Sequence, residues 1–246
     1  MLELKNITKA FKTPYSDNIT VAADDVSINV GTGETVGLIG ESGCGKTTLA
    51  LIAMKLLKPD SGSIIIDGED VSKMNEKKYR SKRRTVQMVF QNPIASMDPI
   101  RTVRWSLDEA YSTFGKTPDY EEMFKKFEVP IDVLDRVPLM VSGGEMQRAS
   151  IMRGLASSPK YLILDEPTSM LDVSIQASIM KTLGEYKNKD RGFLLITHDL
   201  DLANCFCDRI YIMHEGKIIE EGLTEDVMKN PKSEVGRKMI SAYMEH

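Results

Sequence analysis

The chain has 246 residues, which at roughly 150 residues per domain allows one core with a subdomain but not two full domains. Its 32 Lys and Arg against 36 Asp and Glu leave a net charge of -4, so composition offers no global attraction to nucleic acid or anionic lipid. The longest apolar run, residues 49–54, stops at Lys55, far short of the ~20 residues of a membrane-spanning helix, and residues 1–13 lack the continuous apolar core of a secretory signal.

In chain order, short β-branched runs predict strands at 2–7, 26–30, 35–39, 63–66, 86–90, 161–165, 193–197, 210–214 and 217–220. Helical patterns alternate with them, the mark of an α/β protein with a mostly parallel sheet. Leu162-Ile163-Leu164 and Leu194-Leu195-Ile196 are apolar on consecutive residues, which places those strands at the sheet centre, covered on both faces. Between Asn92 and Pro159 five prolines punctuate short helical pieces, such as 120–127, and no β-branched run occurs; this predicts a helical insertion. The tail, 223–246, reads as polar helix with Met239, Ile240 and Tyr243 on one face. The basic cluster of Lys77, Lys78, Arg80, Lys82, Arg83 and Arg84 reads most simply as a solvated face. Cys44, Cys205 and Cys207 lack disulfide or zinc spacing and read as the reduced thiols of a cytosolic protein.

Gly40-Glu41-Ser42-Gly43-Cys44-Gly45-Lys46-Thr47 fits G-x-x-x-x-G-K-[ST], between the strand ending at Ile39 and a helix expected over 46–57. The backbone N–H groups of such a loop wrap an anion, and the helix dipole favours it. Lys46 reaches the terminal phosphates, and the Thr47 hydroxyl takes a Mg²⁺ position. At average residue usage the four fixed positions arise by chance on the order of once in a hundred chains of this length.

Nucleotide hydrolysis also needs a carboxylate for the metal and a group to orient water. The buried strand ending Asp165-Glu166 supplies both: Asp165 suits the metal shell and Glu166 suits polarising water. A strand meeting solvent in charged residues is the plain alternative. His198 follows another buried strand, at the carboxyl end where open α/β sheets bind ligands. Ser142-Gly143-Gly144-Glu145 has capping-box spacing ahead of a helix expected over 145–156, and its N–H groups are of the kind that bind phosphate.

In this order, Gly40 to Thr47, Gln91, Val141 to Glu145, Leu162 to Glu166, Ser169-Met170-Leu171-Asp172 and His198 resemble the Walker A loop, Q-loop, signature, Walker B strand, D-loop and switch histidine of the ATPase subunit of an ATP-binding cassette (ABC) transporter. The resemblance spans residues 1–222. It implies a P-loop NTPase (RecA-like) α/β core formed by 1–91 and 159–222, with an N-terminal antiparallel β portion. An inserted α-helical subdomain would occupy 92–158 and carry the signature, and 223–246 would form the tail. It implies ATP and Mg²⁺, with Thr47, Gln91 and Asp165 at the metal and Lys46, Gln91, Glu166 and His198 in catalysis. The nucleotide-contacting set would be Phe11, Gly40, Ser42, Gly43, Cys44, Gly45, Lys46, Thr47, Thr48, Ser142, Gly143, Gly144 and Asp172. Phe11 matches the aromatic that stacks on adenine, with Tyr15 the second candidate and a core Phe the plain alternative.

The same resemblance implies a head-to-tail pair of such subunits, identical or related, in which Ser142 and Gly144 of one close over ATP held by Lys46 of the other. It implies separate membrane permease subunits, an extracytoplasmic solute-binding protein as an indirect partner, no nucleic acid, and a peripheral place on the cytoplasmic face of the membrane. Residues 90–103 resemble the Q-N-P-x-x-S-L-[ND]-P-R-x-T-V stretch of the peptide/nickel uptake branch, departing from it at Met97 and Ile100. The tail lacks that branch's His-Pro-Tyr motif. An exporter or lipoprotein-releasing ATPase and a soluble cluster-assembly ATPase are the competing readings.

Overall fold

The structure, a computed structural model, describes residues 1–12, 19–168 and 171–244. Tyr15, Ser169 and Met170 lie outside the described residues. The chain opens on two antiparallel strands, β1 (Leu2–Lys12) and β2 (Ile19–Val30), registered so that Phe11 faces Thr20. β3 (Thr35–Ile39) starts a second sheet, and α1 (Lys46–Ala53) returns the chain to β4 (Ser61–Ile66) and the two-residue β5 (Glu69–Asp70). The first sheet is thus antiparallel, in the order β2-β1-β4-β5.

After α2 (Glu76–Tyr79) and β6 (Val86–Val89) comes the helical insertion: a short 3₁₀ turn (Pro93–Ser96), α3 (Val103–Thr113), α4 (Tyr120–Lys126), two further 3₁₀ turns and α5 (Gly143–Leu155). β7 (Tyr161–Asp165), α6 (Val173–Tyr186), β8 (Gly192–Thr197), α7 (Leu200–Phe206), β9 (Arg209–His214) and β10 (Lys217–Leu223) complete the second sheet, in the order β10-β9-β3-β8-β7-β6. It is parallel except for the β9-β10 hairpin.

Every residue of β3, β7 and β8 is buried, which bears out the expected covered centre. The period of two divides their side chains between two cores. Leu162, Leu164, Phe193 and Leu195 pack toward the insertion and α6, whereas Tyr161, Ile163, Leu194 and Ile196 pack toward α1 and the antiparallel sheet. Each fully buried Leu or Ile contributes about 2 kcal/mol as an upper value. Two continuous cores therefore clamp the middle strands, and the loops at their carboxyl ends are held on a rigid base.

Several boundaries differ from the sequence expectation. β1 and β2 run five and seven residues further, because each is the other's partner through register shifts that no local pattern announces. The helix expected to reach residue 57 ends at Ala53: Lys55 takes φ 55° and its ammonium donates to Val71 O at 2.7 Å, a tertiary contact that stops the helix. The tail is not one helix. β10 extends to Leu223, then α8 (Thr224–Lys229) and α9 (Glu234–Met244) flank a break at Pro231, where the buried Glu220 carboxylate accepts from Lys232 N, Ser233 N and Ser233 Oγ. Of the expected face on α9, Ile240 is buried, and Met239 and Tyr243 pack beside it.

Candidate functional site

The loop from β3 to α1 is built by close backbone approach. A Cβ on Gly45, at φ 114°, would lie 1.9 Å from Ala22 O of β2, and one on Gly40 would lie 2.2 Å from Met213 O of β9. Only glycine fits at either position. Because Gly45 brings no side-chain cap, the first N–H groups of α1 remain available to an anion. Lys46 is 5% exposed, and its ammonium donates to Gly40 O at 2.7 Å and Glu41 O at 2.8 Å, folded over the loop it would share with a phosphate. Cys44 is a buried loop thiol; burial pushes its pKa up, and the nearby Lys46 charge pulls the other way.

Alternation along β7 puts Asp165 on the α1 face, where Thr47 Oγ1 donates to its Oδ1 at 3.3 Å. Asp165 is 2% exposed, and burial, opposed by the Thr47 bond and aided by Glu166, raises its pKa. A buried carboxylate pressed toward neutrality, with a hydroxyl beside it, is a fitting pair of hard oxygen donors for Mg²⁺. That ion takes its remaining positions from phosphate and water. Among the described residues no group of three or more His, Cys, Asp or Glu is placed to hold a metal ion.

The next residue, Glu166, has φ 44°, a left-handed conformation costing a non-glycine residue about 1 kcal/mol or more. Its N–H donates to Ile196 O at 2.9 Å, and the turn throws its side chain out of the sheet. Gln91 Nε2 donates to Glu166 Oε2 at 2.8 Å, and His198 Nδ1 lies 3.2 Å from Oε1. Three residues far apart in sequence, from the ends of β6, β7 and β8, thus meet on one carboxylate.

Gln91 and Glu166 border a cavity of about 300 Å³ lined also by Phe11, Thr20, Ala22, Ser42, Gly43, Gly45, Lys46, Thr47 and Thr48, whereas His198, Asp165, Gly40 and Cys44 do not line it. Phe11 is 40% exposed, so its ring is presented rather than packed as a core Phe. Thr20 and Ala22 escaped the sequence reading. They arrive only through the β1-β2 register, and neither has side-chain chemistry that would single it out. Ser142, Gly143, Gly144 and Asp172 do not line the cavity. Ser142 caps α5 in a reciprocal capping box with Glu145, and Asp172 caps α6 by accepting from Ile175 N at 3.0 Å.

The sequence model described as ABC transporter matches residues 23–169, a stretch holding the loop, Gln91, Ser142 and both carboxylates. The chain belongs to the ABC transporter family. As a family member it is an ATP-binding, ATP-hydrolysing cassette. It is 36% identical to the oligopeptide transport ATP-binding protein OppF of Streptococcus mutans over 100% of this chain and 82% of that protein. It is 34% identical to the oligopeptide transport ATP-binding protein AppF of Bacillus subtilis over 98% of this chain and 78% of that one. Its fold is similar to a dimeric structure of the ATP-binding cassette MJ0796 in a post-hydrolysis state bound to ADP and Pi, with TM-score 0.80, 28% identity, and coverage of 91% of this chain and 99% of that one. The structure of cbiO1 from Clostridium perfringens, part of the ABC transporter complex cbiONQ, is similar at TM-score 0.76 and 28% identity, over 100% and 98% of the two chains.

Proposed function

We propose that the chain is the ATP-hydrolysing subunit of a peptide importer, peripheral to the cytoplasmic face of the membrane, acting in a head-to-tail pair of cassettes on separate permease subunits. An extracytoplasmic solute-binding protein is its indirect partner. The observation that carries the catalytic part is the Glu166 carboxylate, turned out of the sheet by its left-handed backbone and met by Gln91 and His198 beside the Lys46 loop. Glu166 is the base that polarises water, and His198 orients it from the far oxygen. Lys46 and the N–H groups of α1 hold the terminal phosphates, and Phe11 offers its ring to adenine. Mg²⁺, held by Thr47 and Asp165 with Gln91 in reach, would neutralise phosphate charge as it develops.

The signature lies outside the cavity, and that supports a two-chain site: Ser142 and Gly143 are exposed and Gly144 half-buried, where a second cassette's nucleotide could meet them. The insertion supports a permease surface, for Ile100, Trp105, Leu139 and Met140 are 80%, 44%, 74% and 73% exposed. Val103 N donates to Arg136 O at 2.9 Å, and Ser96 Oγ meets Ser150 Oγ of α5 at 3.1 Å, so the segment after Gln91 is joined to the signature helix. Pressure from a permease there would reach both. Two relatives named for oligopeptide transport favour a peptide over a nickel complex as the solute.

The test combines phosphate release with recovery of companions from detergent-solubilised membranes. Permease subunits should accompany the tagged chain; Lys46→Ala should lose ATP binding, and Glu166→Gln should bind ATP with turnover reduced at least a hundredfold. Unimpaired turnover in Glu166→Gln removes it as the base, and a chain that leaves membranes without companions is no importer subunit.

A further inference from the structure

Among the described residues the side chain of His198 bonds to Glu166 alone, and it is 59% exposed, so little packing holds its ring over the carboxylate. Its place is therefore set by the residues on either side. Thr197, the last residue of β8, is buried, and Asp199 N donates to Thr197 Oγ1 at 2.9 Å, which brackets the histidine. Asp199 caps α7, its Oδ1 accepting from Leu202 N at 3.0 Å. Its other oxygen, Oδ2, accepts from Gln176 Nε2 of α6 at 3.0 Å.

Gln176 stands one turn inside α6, where its own N–H donates to Asp172 O at 2.9 Å. Helical spacing puts it in line with Ile179, Met180 and Leu183, all buried in one core with Leu202 and Ala203 of α7. An apolar seam thus presses the two helices together, and the bond from Gln176 to Asp199 is its polar end, beside His198. The cap of α7 does not need that bond, because Oδ1 alone makes the cap. Nor does solvation demand it, since Gln176 and Asp199 are both half-buried and within reach of water. What the bond adds is a second tether for the residue after the histidine, from an element outside the sheet.

We propose that Gln176 is a positioning residue for ATP hydrolysis: through Asp199 it holds the loop after β8 so that His198 meets the Glu166 carboxylate. This rests on the reading of His198 as the group that orients the attacking water. Gln176 and Asp199 line no part of the nucleotide cavity, so they act on turnover and not on ATP affinity. A displacement of about 1 Å in a group that aligns reacting atoms costs up to about a hundredfold in rate, so a single tether on an exposed ring is enough to matter.

The test reads phosphate release by the full chain against ATP concentration, with ATP binding and thermal melting measured on the same proteins. Gln176→Glu sets two carboxylates at the distance of the present bond and should push the loop away, lowering kcat about thirtyfold with KM for ATP unchanged. Gln176→Met keeps the length without the donor and should lower kcat about fivefold, again without a change in KM. Combining Gln176→Glu with Asp199→Asn reverses the bond: the new amide donates to the new carboxylate, while its oxygen still caps α7. In that double variant kcat should return to within about threefold of the parent chain. His198→Ala is measured beside them. If it abolishes turnover while Gln176→Glu leaves kcat unchanged, or if the double variant turns over no faster than Gln176→Glu, the positioning role is overturned and the reading of His198 stands. A fall in kcat matched by lost ATP binding overturns it as well, and full turnover in His198→Ala overturns both readings.

Discussion

Glu145→Gln isolates one carboxylate at the proposed inter-cassette phosphate contact. Glu145 Oε2 accepts from Ser142 N at 3.1 Å and from Ser142 Oγ at 2.6 Å, while Ser142 Oγ accepts from Glu145 N at 3.4 Å. The signature hydroxyl thus spends its proton on Glu145 in the single chain, and must leave it before donating to a phosphate. Glutamine keeps an acceptor oxygen but loses charge assistance and the favourable interaction with the positive helix end, together about 0.5–1 kcal/mol. Melting should fall by about 2 °C for a chain of this size. In the closed pair the same contact is broken anyway, and removing a negative charge near the γ-phosphate offsets the weaker cap. ATPase turnover should therefore change by about fivefold or less. Ser142→Arg, which removes the cap and blocks the approach, should abolish turnover. The assays are steady-state phosphate release and scanning calorimetry. A hundredfold loss in Glu145→Gln, with melting and ATP binding intact, would falsify the capping account and place the carboxylate in the closed site.

Asp165→Asn should stabilise the nucleotide-free protein on the order of 1 kcal/mol near neutral pH while removing the gain from Mg·ATP. The raised folded pKa means that the wild-type chain loses stability as pH rises through the window between unfolded and folded values, and Asn does not; a lower melting temperature for the Asn variant would contradict this. Asp67 behaves with the opposite sign. Burial pushes its pKa up, but Lys160 at 2.7 Å, the Tyr161 hydroxyl at 2.6 Å and the amino terminus at 2.9 Å hold it well below the usual carboxylate range. Its contribution is present above about pH 3.9 and is lost as pH falls through the lower folded value. Asp67 is partly exposed, so solvent screening limits the loss in Asp67→Asn to about 1 kcal/mol, read as a shallower acid limb in melts against pH. Glu220→Ala should cost about 2 kcal/mol by stripping three donors of their acceptor, and should raise hydrogen exchange across α9 first; unchanged exchange there would show that the tail is held by Ile240 packing alone.

The chemistry of the site was legible because it rests on short, contiguous residues whose neighbours supply their own context. Gly40 to Thr47 needs a strand before it and a helix after it, and Asp165-Glu166 needs a buried strand behind it; apolar runs and spacing carry both signals. The capping box of Ser142 and Glu145 is equally local, since three residues on a helix turn bring the partners together. Tertiary structure decided what depends on distant pairing. Thr20 and Ala22 reach the cavity through the register of β1 against β2, and α1 stops where Lys55 finds Val71. Gln91 and His198 close on the two oxygens of Glu166 because three parallel strands end side by side. Local spacing sets which groups a segment can offer, and long-range hydrogen bonding and core packing set which of them meet.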